Sequence, residues 1–447
     1  MKNNKLKGIC GKYTISQLFK KLVRYPYNKL VSIRRKYHEK LLIEKVPTLQ
    51  QQCIKRLKDK EPIRCLFFVI FHQIWKCDEI YKIMEHNPRF APLIIACPRM
   101  NYGKEAMLRT QNDCFSFFTG KGYKVIKAYD EIKDEYINIE DLNPDIIFFT
   151  NPYHGLIDER YYITNFPNTL TIYIPYMFDN NNDVISFHDQ LLHNLVWRFY
   201  AESEIHENYS KMYSRNHGRN VVNTGYPGIE CYITSSYMPS EKDWKIKNND
   251  LKRIIWAPHH TISPVGNVNY SCFLRYADFM LEMADKYADR IQFVFKPHPL
   301  LRDKLNILWG KNKTENYYQQ WKNRQNCNIN DGFYEDLFMT SDAMIHDSGS
   351  FVIEYLYVNK PVMRTLNGIP VESMFNSFAM KCLDQYYMAH TEQDIEQFIQ
   401  NVINDIDPLK EQRTKFVNEV LMPKGSPSQN IINDILDSID NQILYRN

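Results

Sequence analysis

Apolar positions along this chain fall into two series of short runs separated by helical patterns. In the first series, continuous apolar runs rich in Ile, Val and Phe occupy residues 63–71, 92–97, 123–126, 145–150 and 169–174. Runs that do not alternate with polar residues are buried on both faces, the habit of strands in parallel sheets. Helical patterns lie between them at 75–86, 104–119 and 190–200, the second announced by the turn residues Asn101 and Gly103. Gly225-Tyr226-Pro227-Gly228 punctuates the chain, and the polar stretch 236–250 marks a boundary. A second series follows, with strands at 253–257, 291–295, 343–345 and 361–363 and helices at 274–287, 334–340, 351–358 and 392–402. Residues 304–330 read as helix plus loop, and helices at 408–421 and 429–442 close the chain. Both series are βαβ repeats with right-handed crossovers. The expected fold is therefore α/β, with two Rossmann-like, doubly wound domains at 61–235 and 236–447. They face one another across a cleft at the carboxyl ends of their strands, where a ligand belongs.

The first 60 residues do not fit either series. They hold 17 Lys/Arg against Glu39, Glu44 and Asp59, a net of +14, while the other 387 residues carry −10. Ile15, Leu18, Phe19, Leu22 and Val23 repeat at helical spacing among Lys20, Lys21 and Arg24. A basic amphipathic helix of this kind suits an anionic membrane surface, and the arm 1–60 is expected to lie on one. The acidic remainder offers no basic groove, so nucleic acid is not an expected partner. The longest apolar stretch, residues 66–75, is too short to span a bilayer, and residues 1–12 lack the apolar core of a signal peptide. Ten cysteines form no CxxC pair and sit partly inside strand-like runs, as reduced thiols do. These observations place the protein in the cytoplasm, peripheral to the inner face of the membrane. Hydrophobic residues make up 44%, enough for two packed cores.

Polar residues gather where the second series of strands ends. One strand runs into Ala257-Pro258-His259-His260, another into Lys296-Pro297-His298-Pro299, and a third into His346-Asp347-Ser348-Gly349-Ser350 before a helix. Strand ends of one parallel sheet share an edge, so four His, one Lys, one Asp and two Ser converge on one cleft. Ser348 and Ser350 are expected to cap the following helix, whose N-terminus favours phosphate, and Gly349 to let an anion approach the backbone. His259 and His260 are adjacent and expected to diverge, with one facing the cleft. No HExxH and no Asp-x-Asp follows a strand, so no metal is expected, and diphosphate charge is to be met by His, Lys and dipoles without a cofactor.

These motifs resemble those of the CDP-glycerol:poly(glycerophosphate) glycerophosphotransferase family, the teichoic-acid primases and polymerases. The similar stretches are Gly225-Tyr226-Pro227-Gly228, Trp256-Ala257-Pro258, Lys296-Pro297-His298-Pro299 and 341–350, with Glu354-Tyr355-Leu356 and Lys360-Pro361 after them. The resemblance implies a GT-B-like fold and a polyol-phosphate transferase. A CDP-linked donor would sit in the C-terminal domain and a glycan or lipid-linked glycan acceptor on the N-terminal one. It implies donor-diphosphate binding by Lys296, His298, Asp347, Ser348, Gly349 and Ser350, with Asp347 and Glu354 placing hydroxyls; His259 and His260 join the donor site by their position at the neighbouring strand end. The family's Trp-His-Gly segment, whose His is the presumed base, has no match at 174–177, leaving His154 and His188 as candidate catalytic bases. The alternatives are a GT-B glycosyltransferase using a nucleotide sugar, a UDP-sugar 2-epimerase, or a non-catalytic polysaccharide-binding module.

Overall fold

The computed structural model describes residues 15–101, 103–247, 250–263 and 269–446, with the side chains of 15–30 and 32 outside that description. The apolar stripe at Ile15 to Val23 falls on those side chains. Seven strands build the first parallel sheet: β1 (Ile63–Val69), β2 (Phe90–Ala96), β3 (Val125–Lys127), β4 (Ile146–Phe149), β5 (Leu170–Tyr173), β6 (Arg198–Ala201) and β7 (Val221–Asn223). Their order is β3-β2-β1-β4-β5-β6-β7. Six more build the second: β8 (Lys252–Ala257), β9 (Ile291–Phe295), β10 (Cys327–Ile329), β11 (Ala343–His346), β12 (Val362–Thr365) and β13 (Tyr387–Ala389), in the order β10-β9-β8-β11-β12-β13. In each sheet the chain starts in the middle, winds to one edge, and returns to wind to the other. The doubly wound fold is thus present twice, with each crevice at the carboxyl edge beside the first strand.

The central strands are buried end to end, β4 completely and β1 at every position but Arg64. Phe67 of β1 stacks on Phe148 of β4 with centroids 4.3 Å apart, so neighbouring strands are held by rings as well as by their ladder.

Three expectations are corrected. Residues 190–200 form only a five-residue helix, Leu191–Leu195, and then enter β6. A charged residue inside an apolar run mimics a helix's polar face, but Arg198 is fully buried and fully paired. It donates to Asp434 at 2.8 Å, Ser438 at 2.8 Å and the Leu444 carbonyl at 2.7 Å. Second, the segment 1–60 is not separate from the body. Helix α1 spans Ile15–Leu57, and its end is core: Cys53, Ile54 and Leu57 pack under the first sheet, and Gln50 donates to the Leu195 carbonyl at 2.8 Å. Only upstream does it emerge, with Val31, Ile33, Tyr37 and Leu41 exposed. Third, the last helix, Pro427–Asp440, leaves the second sheet. Ile431, Ile435 and Ile439 recur every four residues, and that stripe, with Ile432, packs into the first sheet's core.

Asp434 fixes this return. It takes Arg198 on one oxygen, together with the Tyr200 hydroxyl at 2.9 Å, inside the interface between helix and sheet. Removing one partner of a buried pair strands the other without solvation, so Asp434→Ala should cost about 3–5 kcal/mol of stability. Urea unfolding measures it, and a loss below about 1 kcal/mol would show that Arg198 finds another partner.

Candidate active site between the two sheets

The residues singled out at the second sheet's strand ends do meet. β9, β8 and β11 are immediate neighbours, with Trp256 paired to Phe295 and Ala257 to His346, so their carboxyl ends share one edge. There a cavity of about 430 Å³ opens between the sheets. The second domain gives it His259, Lys296, His298, Ser348, Gly349, Ser350 and Glu354, and the first gives Gln73, Lys76, Tyr176 and Asn180. A larger depression of about 570 Å³ lies on the first domain around Lys104, Tyr136 and Arg160 and contains none of these motifs. The cleft is where the chemistry gathers.

His259, His260 and His298 do not diverge. Their ring centroids lie 4.3, 4.9 and 4.2 Å apart, a single cluster. Burial holds all three below the ordinary imidazole value, at about 2, 4 and 3 for His259, His260 and His298, so the cluster is neutral at pH 7. Hydrogen bonds then set two of the tautomers. The Leu300 amide donates to His298 Nδ1 at 3.1 Å, leaving the ring proton on Nε2. The Thr261 hydroxyl accepts from the Tyr270 and Ser271 amides, so its own hydrogen goes to His259 Nδ1 at 3.0 Å, and this proton too sits on Nε2. Rings in this tautomer have an N–H to offer an anion. The nitrogens of the three rings lie within 4.8 Å of one another, close enough to hold a metal ion. Coordination through Nε2 would put the proton on Nδ1, which would break the Leu300 amide's hydrogen bond to His298 and reverse that of the Thr261 hydroxyl to His259.

Lys296 adds the cation. It is buried, donates to the Gly332 carbonyl at 2.8 Å, and is lowered by burial to about 8. His346, expected in the same cluster, stays inside the sheet, 3.3 Å from the Tyr386 hydroxyl.

The Asp347–Ser350 turn works differently from a capped helix. Neither serine caps; their hydroxyls face each other at 3.3 Å on the cavity wall, and the helix beyond, Phe351–Glu354, has only four residues. Asp347 lies behind the cavity wall rather than on it. Both its oxygens are taken, by the amides of His259 and of Cys272 (2.6 Å), and burial raises it to about 6. Arg364, a charge inside β12 that sequence reasoning passed over, supports the turn by donating to the carbonyls of Ser348 at 2.9 Å and Asp347 at 3.2 Å. Tyr270 covers Gly349: an added Cβ would lie 3.1 Å from that ring, which would have to shift to admit it. Its carbonyl accepts from Asn180 of the first domain at 2.7 Å.

Glu354 lines the cavity and accepts from the Tyr334 hydroxyl at 2.6 Å. Beside it stands Lys76, from the loop after β1, 3.2 Å from Glu335 and 3.7 Å from Glu354. Burial works against its charge, but the two carboxylates outweigh it and hold Lys76 well above the ordinary lysine value. No sequence motif flags this lysine; only its place after a central strand does.

Neither candidate base reaches the cavity. His188 is buried, with Nδ1 on the Ser210 hydroxyl at 2.8 Å and Nε2 on Asp179 at 3.3 Å. It is a structural histidine. His154 is half exposed, with Nε2 2.9 Å from a Glu159 carboxylate oxygen and its ring packed edge-on against Tyr162, outside the cavity wall.

The family profile of the CDP-glycerol:poly(glycerophosphate) glycerophosphotransferases matches residues 187–432, more than half of the chain. The chain belongs to that family. A variant of the wall teichoic acid polymerase TagF is 12% identical, with 96% of this chain and 99% of that one covered at a TM-score of 0.56. The UDP co-structure of MnaA from S. aureus is 15% identical, covering 87% of this chain and 99% of that one at 0.52. A putative UDP-N-acetylglucosamine 2-epimerase from Listeria monocytogenes is 11% identical, covering 84% and 96% at 0.52. At these identities the likeness is one of fold, the GT-B arrangement of two facing Rossmann-like domains. No curated protein matches the sequence.

In this glycerophosphotransferase the neutral cluster sets a pH dependence. The rings bind fewer protons folded than unfolded, so their contribution is complete above about 6.5 and drains away as pH falls toward 3. Asp347, raised to about 6, runs the opposite way and loses stability as pH rises from about 4. Comparing His298→Gln with wild type isolates one ring. The variant's stability should fall less between pH 6.5 and 4, by at most about 1.4 kcal/mol per pH unit, in denaturant titrations at each pH. Parallel curves would mean that the ring is protonated in the fold.

Proposed function

We propose that the protein transfers a polyol phosphate, glycerol phosphate or ribitol phosphate, from a CDP-linked donor to a glycan hydroxyl in cell-surface polysaccharide synthesis. The observation that carries this reading is the neutral imidazole cluster with Lys296, Ser348 and Ser350 at adjoining strand ends. It is a set of donors for a diphosphate, and of the two carboxylates that line the cavity among the described residues, Asp331 and Glu354, the second is held by the Tyr334 hydroxyl and Lys76. Cavity-facing donors act on the charge that develops on the phosphoryl oxygens and on the departing CMP. The epimerase alternative needs carboxylates on the acceptor side. Among the described residues, the first domain's share of the wall contains Gln73, Lys76, Tyr176, Asn180 and Asn181 and no Asp or Glu. Glycosyl transfer from a nucleotide sugar remains the second reading, favoured only by the shared fold.

Purified protein given CDP-glycerol, CDP-ribitol and UDP-sugars with a lipid-linked disaccharide should release CMP and no UDP, and should do so in EDTA. His298→Ala and Ser348→Ala should each weaken CDP binding by roughly 1–3 kcal/mol in calorimetric titration. Release of UDP, or activity restored only by magnesium or manganese, would overturn the assignment.

The acceptor side of this reading includes a membrane surface. No helix among the described residues is long and apolar enough to cross a bilayer, so attachment would rest on the basic start of α1. Because α1 is core from Ile43 onward, the informative truncation removes residues 1–30 and a net +8. The shortened protein should stay folded and lose sedimentation with anionic vesicles, and salt should weaken binding of the full chain. Undiminished sedimentation would remove the arm from the membrane.

A further inference from the structure

With His154 and His188 set aside, the acceptor side lacks a base, and we propose that His72 accepts the proton of the attacking hydroxyl. The inference rests on the transfer reaction proposed above. His72 opens the turn His72–Ile74 shortly after β1, an inner strand of the first sheet, and the next two residues, Gln73 and Ile74, line the cavity. Its ring stacks on Phe117 at 4.6 Å, Phe117 stacks on Phe333 of the second domain at 5.3 Å, and Phe333 is itself cavity wall. The imidazole is thereby fixed at the rim where the domains meet. The loop bearing Phe333 also accepts the Lys296 ammonium on its Gly332 carbonyl at 2.8 Å, so one loop ties His72's stack to the phosphate cradle.

Other histidines of the first domain are committed elsewhere. His206 has its nitrogens on Ser203 and the Asp179 carbonyl, and His193 is buried against Phe199. His38 lies on α1, His86 follows helix Asp78–Glu85, and His217 sits in the turn before β7, at the amino end of the sheet. Among the described residues no hydrogen bond holds either nitrogen of His72, which leaves a lone pair for an incoming hydroxyl. The charged groups around it are Asp113 on helix Gly103–Gly120 and Lys121, whose ammonium lies 4.9 Å from the Phe117 ring. Half-burial lowers the imidazole below its ordinary value while Asp113 opposes, and the ring is neutral at pH 7.

The step balances as follows. The acceptor oxygen bonds to the phosphorus that carries the polyol, and the bond from that phosphorus to the bridging oxygen breaks. CMP leaves with that oxygen, and the hydroxyl proton passes to His72. His72→Gln should lower CMP release from CDP-glycerol or CDP-ribitol roughly 10²–10⁴-fold, the usual worth of a general base, with CDP affinity unchanged by calorimetry. Exogenous imidazole should restore part of the activity of His72→Gly. A wild type that releases no CMP from either donor takes down the transferase reading and this one with it. An active wild type overturns the base alone in two cases: His72→Gln keeps turnover within a few-fold, or its CDP affinity falls in step with turnover and imidazole rescues nothing.

Discussion

A single buried carboxylate holds the phosphate cradle together. Asp347 belongs to the loop after β11, yet its oxygens are spent on the amide of His259, after β8, and of Cys272, ahead of the helix Phe273–Lys286. Burying a carboxylate is unfavourable, and its rise to about 6 measures how far burial outruns those hydrogen bonds and the nearby Arg364. What the fold gains is geometry. Two loops that would otherwise move independently are held to one another, and His259 is delivered beside His298 from a third. The His298 amide, on the Pro258 carbonyl at 3.0 Å, completes the connection between the β8 and β9 ends.

The same economy of connections runs along the seam between domains. Lys76 enters the second domain from the end of β1 and is met by Tyr334 at 3.0 Å as well as by Glu335 and Glu354. Next to it, the stretch from Asp179 to Asn182 pairs with residues 374–376, and Asn180 reaches the Gly349 carbonyl. A buried lysine costs stability unless its partners are in place, so this charge cluster favours one arrangement of the domains over a looser one. Gly228 makes room for it: an added Cβ would lie 2.9 Å from the Lys76 side chain and 2.5 Å from Tyr226. The second glycine of the Gly-Tyr-Pro-Gly turn therefore acts by packing at the seam.

Long apolar runs made most of the fold legible in sequence. β9 matches its expected bounds, and β1 and β8 are displaced by a residue or two, because five or more consecutive buried residues leave no competing period; β2, interrupted by the partly buried Ala91 and Leu93, is displaced by as much. β7, β10 and β13 have three residues each and carry no period at all. β6 was hidden by Arg198, whose partner lies 236 residues away on a helix that the chain brings back at its end. The cradle was legible because adjoining strand ends in a parallel sheet must share an edge. Side-chain direction was not. Adjacent His259 and His260 could be expected to part, and only the backbone after Pro258 turns both toward His298. His72 stood in plain sight but fell between an expected strand and an expected helix, where no motif marks it.

Histidines in the two domains differ by surroundings rather than by kind, and that difference assigns their roles. In the cradle, Nδ1 of His298 and of His259 is already occupied by a hydrogen from the protein, so the remaining nitrogen offers a proton outward to an anion. At His72 the ring is held by stacking alone, and a neutral ring with unclaimed nitrogens can take a proton. A bound diphosphate would deepen the contrast. Its charge raises the proton affinity of the cradle rings, which face it, and strengthens their hydrogen bonds as negative charge grows on the phosphoryl oxygens. Donation on one wall of the cleft and acceptance on the other is the division that attack by a hydroxyl on a diphosphate requires. Here it follows from which side of each imidazole the fold has left free.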